Sequence, residues 1–136
     1  MNRIGMWLYV VAFSAALFAA SGCVTGNAAG SNSGAVHHVV VCWLKSPGDA
    51  SARAQIIETS KSFSSIPGVL SVKAGSVIPC TRSMVDSTFD VAIVITFKDR
   101  NALSLYLDHP VHRRSVESVM KPLVGRTVIY DFSGDI

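Results

Sequence analysis

The sequence lacks the spacing patterns that metal sites need. Its three cysteines, Cys23, Cys42 and Cys80, include no Cys-x-x-Cys pair and no close cluster of Cys and His residues. The neighbouring His37 and His38 cannot chelate one ion together, because successive residues of a strand point to opposite faces. We therefore expect neither a metal nor a cofactor.

The chain also lacks an excess of either charge. It has 12 Lys and Arg residues against 9 Asp and Glu residues, which gives a net charge of +3 at pH 7. We interpret Arg113, Arg114 and Arg126 as solvated surface rather than as a basic patch. The composition therefore gives no reason to expect a nucleic acid partner.

The apolar N-terminus is too short to be a typical membrane-spanning helix. An uncharged run from Ile4 to Ala20 follows Arg3, whereas a membrane span needs about 20 apolar residues and usually has charged flanks. Small residues then lead to Cys23, as in a cleaved export signal. The tetrapeptide Ala20-Ser21-Gly22-Cys23 resembles a bacterial lipobox, although alanine stands where leucine is usual. We expect residues 1–22 to be a lipoprotein signal peptide and Cys23 to carry the lipid.

This interpretation has two alternatives, an ordinary secreted protein and an uncleaved signal anchor. Residues 23–35 are rich in Gly, Ser and Asn and are predicted to form a flexible tether, which leaves residues 36–136 as one domain. The expected location is the bacterial cell envelope, with the domain on the periplasmic side in a Gram-negative cell. An oxidising compartment would permit a disulfide between Cys42 and Cys80, but Cys42 lies in an apolar strand pattern, where a free buried thiol is common. Their redox state stays open.

The domain alternates between strand-like and helix-like patterns. β-branched apolar runs predict strands, and Asp49 and Asp99 are placed as N-caps of helices. The predicted order is a strand His38–Leu44, a helix from Asp49 to about Ser65, a strand Val69–Ile78, a polar connection Pro79–Ser87, a strand Thr88–Phe97, a helix from Asp99 through Leu107, a helix from Pro110 to about Lys121 that Pro122 and Gly125 end, and a strand Thr127–Phe132.

This β-α-β-β-α(α)-β order predicts an α+β, ferredoxin-like fold, with a four-stranded antiparallel sheet and the helices on one face. The first and third strands are nevertheless apolar on both faces. Antiparallel sheets with one wet face alternate cleanly between apolar and polar residues. A second, symmetric sheet is the simplest cover for the other face, so we expect a homodimer in the form of a dimeric α+β barrel.

Candidate functional residues cluster between Tyr106 and His112. Helical spacing places both side chains on inward faces, toward the space between helices and sheet. A histidine exchanges protons near neutral pH and a tyrosine hydroxyl can donate to an oxyanion, so the pair could act on a carbonyl compound. Alternatively, the two side chains hydrogen-bond each other or a backbone carbonyl, and His109, which precedes Pro110, caps a helix.

Several motifs resemble the stress-responsive dimeric A/B barrel family, known as Dabb, and the likeness spans about residues 36–132. These motifs are His38-Val-Val-Val-Cys-Trp-Leu-Lys45, Ile66-Pro67-Gly68-Val69, Phe89-Asp90-Val91-Ala92, Phe97-Lys98-Asp99, Tyr106-x-x-His109-Pro110-x-His112 and Tyr130-Asp131-Phe132. The resemblance implies a ferredoxin-like protomer that pairs sheet to sheet.

The same resemblance implies site residues. One plant member is a polyketide cyclase, and a tyrosine and a histidine of its signature match Tyr106 and His112, which are the candidate catalytic pair here. His38 matches a strand histidine that lines the same pocket, and His109 is assigned with it to binding. Dimeric barrel monooxygenases are related, but no motif here specifically supports their chemistry.

Three functions remain open. The chain could be an envelope lipoprotein that binds a small apolar or aromatic molecule in a pocket lined by Tyr106, His112 and His38. It could be a cofactor-independent enzyme that uses His112 as the acid or base. It could also be a structural dimer with a filled interior. A pocket favours the first two, and packed side chains around His112 favour the third.

Overall fold

The structure is a computed structural model that describes residues 34–134. The predicted signal peptide, Cys23 and almost all of the predicted tether lie outside these residues. The elements are β1 (Val36–Leu44), α1 (Ala50–Lys61) with a following 3-10 turn (Ser62–Ser65), β2 (Val69–Ser76), β3 (Val91–Phe97), α2 (Arg100–Asp108), α3 (Pro110–Ser115), a π turn (Val116–Met120), α4 (Lys121–Leu123) and β4 (Val124–Ser133).

The four strands form one antiparallel sheet in the order β2-β3-β1-β4. β1 and β3 are central, and β2 and β4 are the edges. The helices all pack against the face of the sheet toward which the buried residues of β1 point. The predicted α+β, ferredoxin-like arrangement is therefore confirmed.

Side-chain caps fix the starts of the helices. Asp49 Oδ1 accepts hydrogen bonds from the backbone N–H groups of Ser51 and Ala52, at 2.9 and 3.0 Å. Asp99 Oδ1 accepts one from Ala102 N–H at 2.7 Å. Both bonds satisfy donors that a helix leaves free in its first turn, and both predicted caps are confirmed.

The core lies between the sheet and the helices. Alternate residues of β1 and all helix-facing residues of β3 are buried there, together with one side of α1 and α2. The buried Asp90 closes this layer at one end, because its carboxylate accepts hydrogen bonds from the N–H groups of Leu44 at 2.9 Å and Gly48 at 2.8 Å. This carboxylate thus holds the turn that leads from β1 into α1.

Among the described residues, no helix packs on the opposite face of the sheet. Val39, Val41 and Trp43 of β1 lie there half-buried, beside Val94 of β3. On the edge strand β4, Phe132 is 54% exposed on the same face, with Tyr130 at 59%. A broad apolar surface of one protomer is therefore open to water, as the two-sided apolar pattern of the strands predicts.

Two expectations for the C-terminal segment are wrong. Pro122 does not end the third helical segment, which continues to Leu123 through a π turn; the wider turn relieves the clash that a proline ring makes with the carbonyl four residues earlier. Gly125 lies inside β4, which begins at Val124 rather than at Thr127. It is the extra residue of an irregularity where β4 pairs with Trp43 and Leu44.

The ends of other strands also shift. β2 stops at Ser76 rather than Ile78, and β3 starts at Val91 rather than Thr88. β1 is longer than predicted, because Val36 and His37 pair with Phe97 and Thr96. Within residues 34–134, no helix has both the length and the apolar character needed to cross a membrane.

Gly68, after the first helix, gives a test of this packing. Its φ is +89°, and a Cβ built there would lie 2.6 Å from the Cβ of Ala102 on α2. Gly48 has a similar φ of +80° but no atom within 4 Å of such a Cβ. We expect Gly68→Ala to lower the free energy of unfolding by about 2–4 kcal/mol, from backbone strain plus overpacking, and Gly48→Ala by about 1 kcal/mol from strain alone.

Urea unfolding of both variants and the parent measures this difference. Equal losses at the two positions would contradict the close contact between Gly68 and α2.

Candidate functional site

A cavity of about 240 Å³ lies between the sheet and the segment that contains α3 and the π turn. Its floor comes from β1, β3 and β4, and its roof from α2, α3 and the π turn. Most of its wall is apolar. The lining residues are His38, Val40, Phe63, Ile93, Ile95, Tyr106, His112, Val116, Met120, Thr127 and Ile129.

Tyr106 enters the cavity from the buried side of α2. Its side chain is almost fully buried against Phe97 and Phe63, with ring centroids 5.0 and 5.5 Å away. No group within residues 34–134 forms a hydrogen bond with its hydroxyl. Every fully buried polar side-chain atom in that range does have a partner, so the Tyr106 hydroxyl is not fully buried. The hydroxyl therefore keeps contact with the open space of the cavity, where it can donate or accept a hydrogen bond.

His112 stands beside Tyr106 on α3. The centroids of the two rings are 4.4 Å apart. The Nδ1–H of His112 donates to the carbonyl oxygen of Leu107 at 3.0 Å, because a carbonyl can only accept. The hydrogen bond to a backbone carbonyl, one of the two structural alternatives for this residue, is thus present, and it leaves Nε2 as the second polar atom of the ring.

His38 reaches the same cavity from β1. It lies opposite Asp131 of β4 in the sheet register, and His38 Nδ1 is 2.6 Å from Asp131 Oδ1. The side chain of His38 is 5% exposed, whereas that of Asp131 is 47% exposed. The expected grouping of His38, Tyr106 and His112 in one pocket is therefore present in the fold.

His109 does not line the cavity, against its assignment to the binding residues. Its Nδ1 accepts a hydrogen bond from Val111 N–H at 3.3 Å and so caps α3. The residue before Pro110 has extended backbone angles, as the proline requires, and its side chain turns back over the helix start. The capping alternative describes this residue.

Comparison with known proteins agrees with this architecture. The family described as Stress responsive A/B Barrel Domain, or Dabb, matches residues 36–134. The chain belongs to the Dabb family. No curated protein matches its sequence.

Solved structures share the fold of this Dabb domain. A Dabb family protein with a ferredoxin-like fold from Mesorhizobium loti is 24% identical, with a TM-score of 0.62, over 74% of this chain and 97% of that one. A dimeric ferredoxin-like protein from Thermobifida fusca is 18% identical, with a TM-score of 0.60, over 74% and 91%. A hydroxynitrile lyase from Passiflora edulis is 18% identical, with a TM-score of 0.65, over 76% and 95%.

Sequence patterns missed part of the Dabb cavity. The motif Tyr130-Asp131-Phe132 contains Asp131 but does not predict its pairing with His38, which depends on the register of β4 against β1. Thr127 and Ile129 follow from the same register, since they alternate with Asp131 on the helix-facing side. In the sequence, counting back from Asp131 in steps of two residues predicts that Ile129 and Thr127 share its face of β4.

Burial also acts on two weakly acidic side chains of the domain, those of Tyr106 and Cys42. Burial raises the pKa of the Tyr106 hydroxyl well above its usual value. Burial also raises the pKa of the Cys42 thiol to about 11, against a hydrogen bond with Thr127 that lowers it. Both described cysteines, Cys42 and Cys80, are free thiols. No group of three or more metal-ligating side chains occurs within residues 34–134.

His112 makes the stability of the Dabb domain depend on pH. Burial lowers its pKa below the usual 6.5; the Leu107 carbonyl opposes this shift, and the nearby His38 adds to it. As the pH falls below about 6.5, His112 takes up a proton in the unfolded chain but stays neutral in the folded chain. The contribution of His112 to stability is therefore present above that pH and is lost as the pH falls toward the depressed native pKa.

We expect the free energy of unfolding to fall between about pH 7.5 and pH 5, and to fall less in His112→Gln. Urea unfolding across this range measures both slopes. Leu105→Gln is the matched control, because it places the same amide on the exposed outer side of α2, changes no titratable group and should keep the parent slope. An unchanged slope in His112→Gln would contradict the burial of the imidazole.

Proposed function

We propose that this Dabb domain binds one small, largely apolar or aromatic molecule in the cavity between its sheet and its helices. The observation that carries the proposal is an apolar cavity into which the hydroxyl of Tyr106 opens, with no hydrogen-bond partner among residues 34–134. A few polar groups that converge in an apolar cavity are typical of small-molecule sites. A purely structural role with a filled interior has less support, because the space beside His112 is not packed.

The size of the cavity limits the ligand. Its volume of about 240 Å³ is below the roughly 300 Å³ at which pockets for drug-sized ligands begin. A dry apolar cavity of about 150 Å³ is enough to hold benzene. A ligand of one substituted ring therefore suits this space, and a fused polycyclic molecule does not.

We expect 4-methylphenol to bind the full-length protein with one molecule per protomer. Val116→Trp places a large side chain in the cavity roof and should weaken binding at least about tenfold, since the ring and the ligand compete for one volume. Isothermal titration calorimetry in detergent, with empty micelles subtracted, measures both affinities.

Leu105→Trp is the matched control, because Leu105 lies on the outer side of α2 and is 59% exposed. It should bind as the parent does. Unfolding midpoints of both variants confirm that they fold. Absence of binding to the parent, or equal affinity in Val116→Trp, would contradict a ligand site in the cavity.

Acid–base catalysis on a carbonyl compound is the second candidate. One observation favours it: burial keeps His112 neutral at pH 7, so its Nε2 is free to take a proton beside the Tyr106 hydroxyl. A fold neighbour named hydroxynitrile lyase is consistent with lyase chemistry in such a scaffold. Any turnover that is found should fall at least about 100-fold in His112→Ala, and undiminished turnover would remove His112 from the reaction.

We also propose that the domain works as a homodimer whose two sheets face each other. The half-buried Val39, Val41 and Trp43 and the exposed Phe132 form an apolar surface that a second sheet would cover. Several fold neighbours are dimeric ferredoxin-like proteins, including those of Thermobifida fusca and Bacteroides fragilis. A symmetric pair of identical faces is the usual way to cover such a surface.

Val41→Glu tests this dimer, because Val41 lies on the central strand β1 between Ala92 and Val128. A buried, unpaired carboxylate on each protomer should weaken dimerisation by at least about 100-fold. Analytical ultracentrifugation measures the dissociation constant. Leu105→Glu adds the same charge on the helical side and should leave the dimer intact. A parent protein that is monomeric at micromolar concentration would contradict the proposal.

The proposed place of action is the cell envelope. The lipobox-like Ala20-Ser21-Gly22-Cys23 supports a lipid anchor on Cys23, with a tether that lets the domain lie near the membrane surface. Intact mass spectrometry reads this directly, since processing removes residues 1–22 and adds acyl chains to Cys23. An unmodified thiol at Cys23 in the mature protein would contradict the anchor.

A further inference from the structure

We propose that Asp131 is a positioning residue that keeps the proton of His38 on Nδ1, so that the cavity selects ligands with a hydroxyl donor, such as phenols. This inference rests on the proposed ligand-binding function and names the chemical class of its ligand.

The geometry of the pair leaves little choice of tautomer. His38 and Asp131 are direct cross-strand neighbours of β1 and β4, with 2.6 Å between Nδ1 and Oδ1. An ionised carboxylate can only accept a hydrogen bond, so the hydrogen between these two atoms belongs to Nδ1. Because the His38 side chain is 5% exposed and packs against Tyr106 and Phe97, its ring is also held in orientation.

The other ring nitrogen of His38 is then the atom offered to a ligand. Its Nε2 has no hydrogen-bond partner within residues 34–134. Since every fully buried polar side-chain atom in that range has a partner, Nε2 is not fully buried. Nε2 therefore opens to the cavity that His38 lines. In a neutral ring with the proton on Nδ1, this nitrogen has a free lone pair and acts as an acceptor.

His112 repeats the arrangement with a different partner. Its Nδ1–H donates to the Leu107 carbonyl, which again leaves Nε2 as an acceptor. The polar part of the wall thus offers two ring nitrogens that accept, and the Tyr106 hydroxyl. A ligand hydroxyl can satisfy one of these acceptors, whereas a methyl group of the same size would bury the nitrogen without a partner.

A pair of matched ligands tests the selection. We expect the full-length protein at pH 8 to bind 4-methylphenol about tenfold or more tightly than p-xylene, which replaces the hydroxyl by a methyl group. Asp131→Leu removes the partner of the His38 Nδ1–H and should reduce this ratio at least about threefold; His112 Nε2, which Asp131 does not contact, accounts for the part that remains. Asp131→Asn is the conservative variant; its side-chain oxygen can accept from Nδ1–H, so it should keep most of the ratio.

Nitrogen-15 chemical shifts of the imidazole rings give a readout that a merely structural role of Asp131 would not move. The parent and Asp131→Asn should show His38 with its proton on Nδ1, and Asp131→Leu should show a mixture of tautomers. A parent His38 with its proton on Nε2 would overturn the role of Asp131.

The outcomes separate this inference from the function on which it rests. Equal affinity for the two compounds in the parent would overturn the hydroxyl selection and leave ligand binding intact. Failure of both compounds to bind would overturn the proposed function and the selection together, while the nitrogen shifts would still decide the tautomer.

Discussion

The central position of β1 is the constraint on which the rest of the molecule depends. β1 is hydrogen-bonded to β3 on one side and to β4 on the other, so its side chains can point only to the two faces of the sheet, in alternation. The helices cover one of these faces, and the other face is apolar. One face sends His38 into the cavity with Val40, and the other presents Val39 and Val41 to the proposed partner. The same strand thus contributes to the site and to the dimer, and a shift of one residue in register would exchange the two roles.

Local chemistry made much of the fold predictable. Asp49 and Asp99 were recognisable as caps because short carboxylates before a helical pattern satisfy the free N–H groups of the first turn. The inward direction of Tyr106 and His112 followed from helical spacing. The pairing of His38 with Asp131 did not, because the two residues are far apart in sequence and meet only through strand register. Helical periodicity does not predict the π turn before Pro122 either, since the wider turn is a local adjustment to the proline ring.

The proposed site and the proposed location fit one physical picture. A dimer of lipid-anchored protomers would hold two cavities close to one membrane surface, and two anchors make attachment effectively bivalent. Small apolar molecules partition into membranes, so a cavity of about 240 Å³ at that surface would meet them at high local concentration. Asp131 and the Leu107 carbonyl would hold the imidazole protons of His38 and His112 on Nδ1. The Nε2 atoms of both rings would then accept from a ligand hydroxyl and discriminate among molecules of similar size.

Native mass spectrometry of the full-length protein, purified from its own membrane fraction, tests ligand binding most directly. We expect a dimer that carries up to two copies of one small molecule, and a Val116→Trp protein purified in the same way that carries none. A parent dimer without any bound molecule that also fails to take up added 4-methylphenol would contradict the account, as would a bound molecule that Val116→Trp retains.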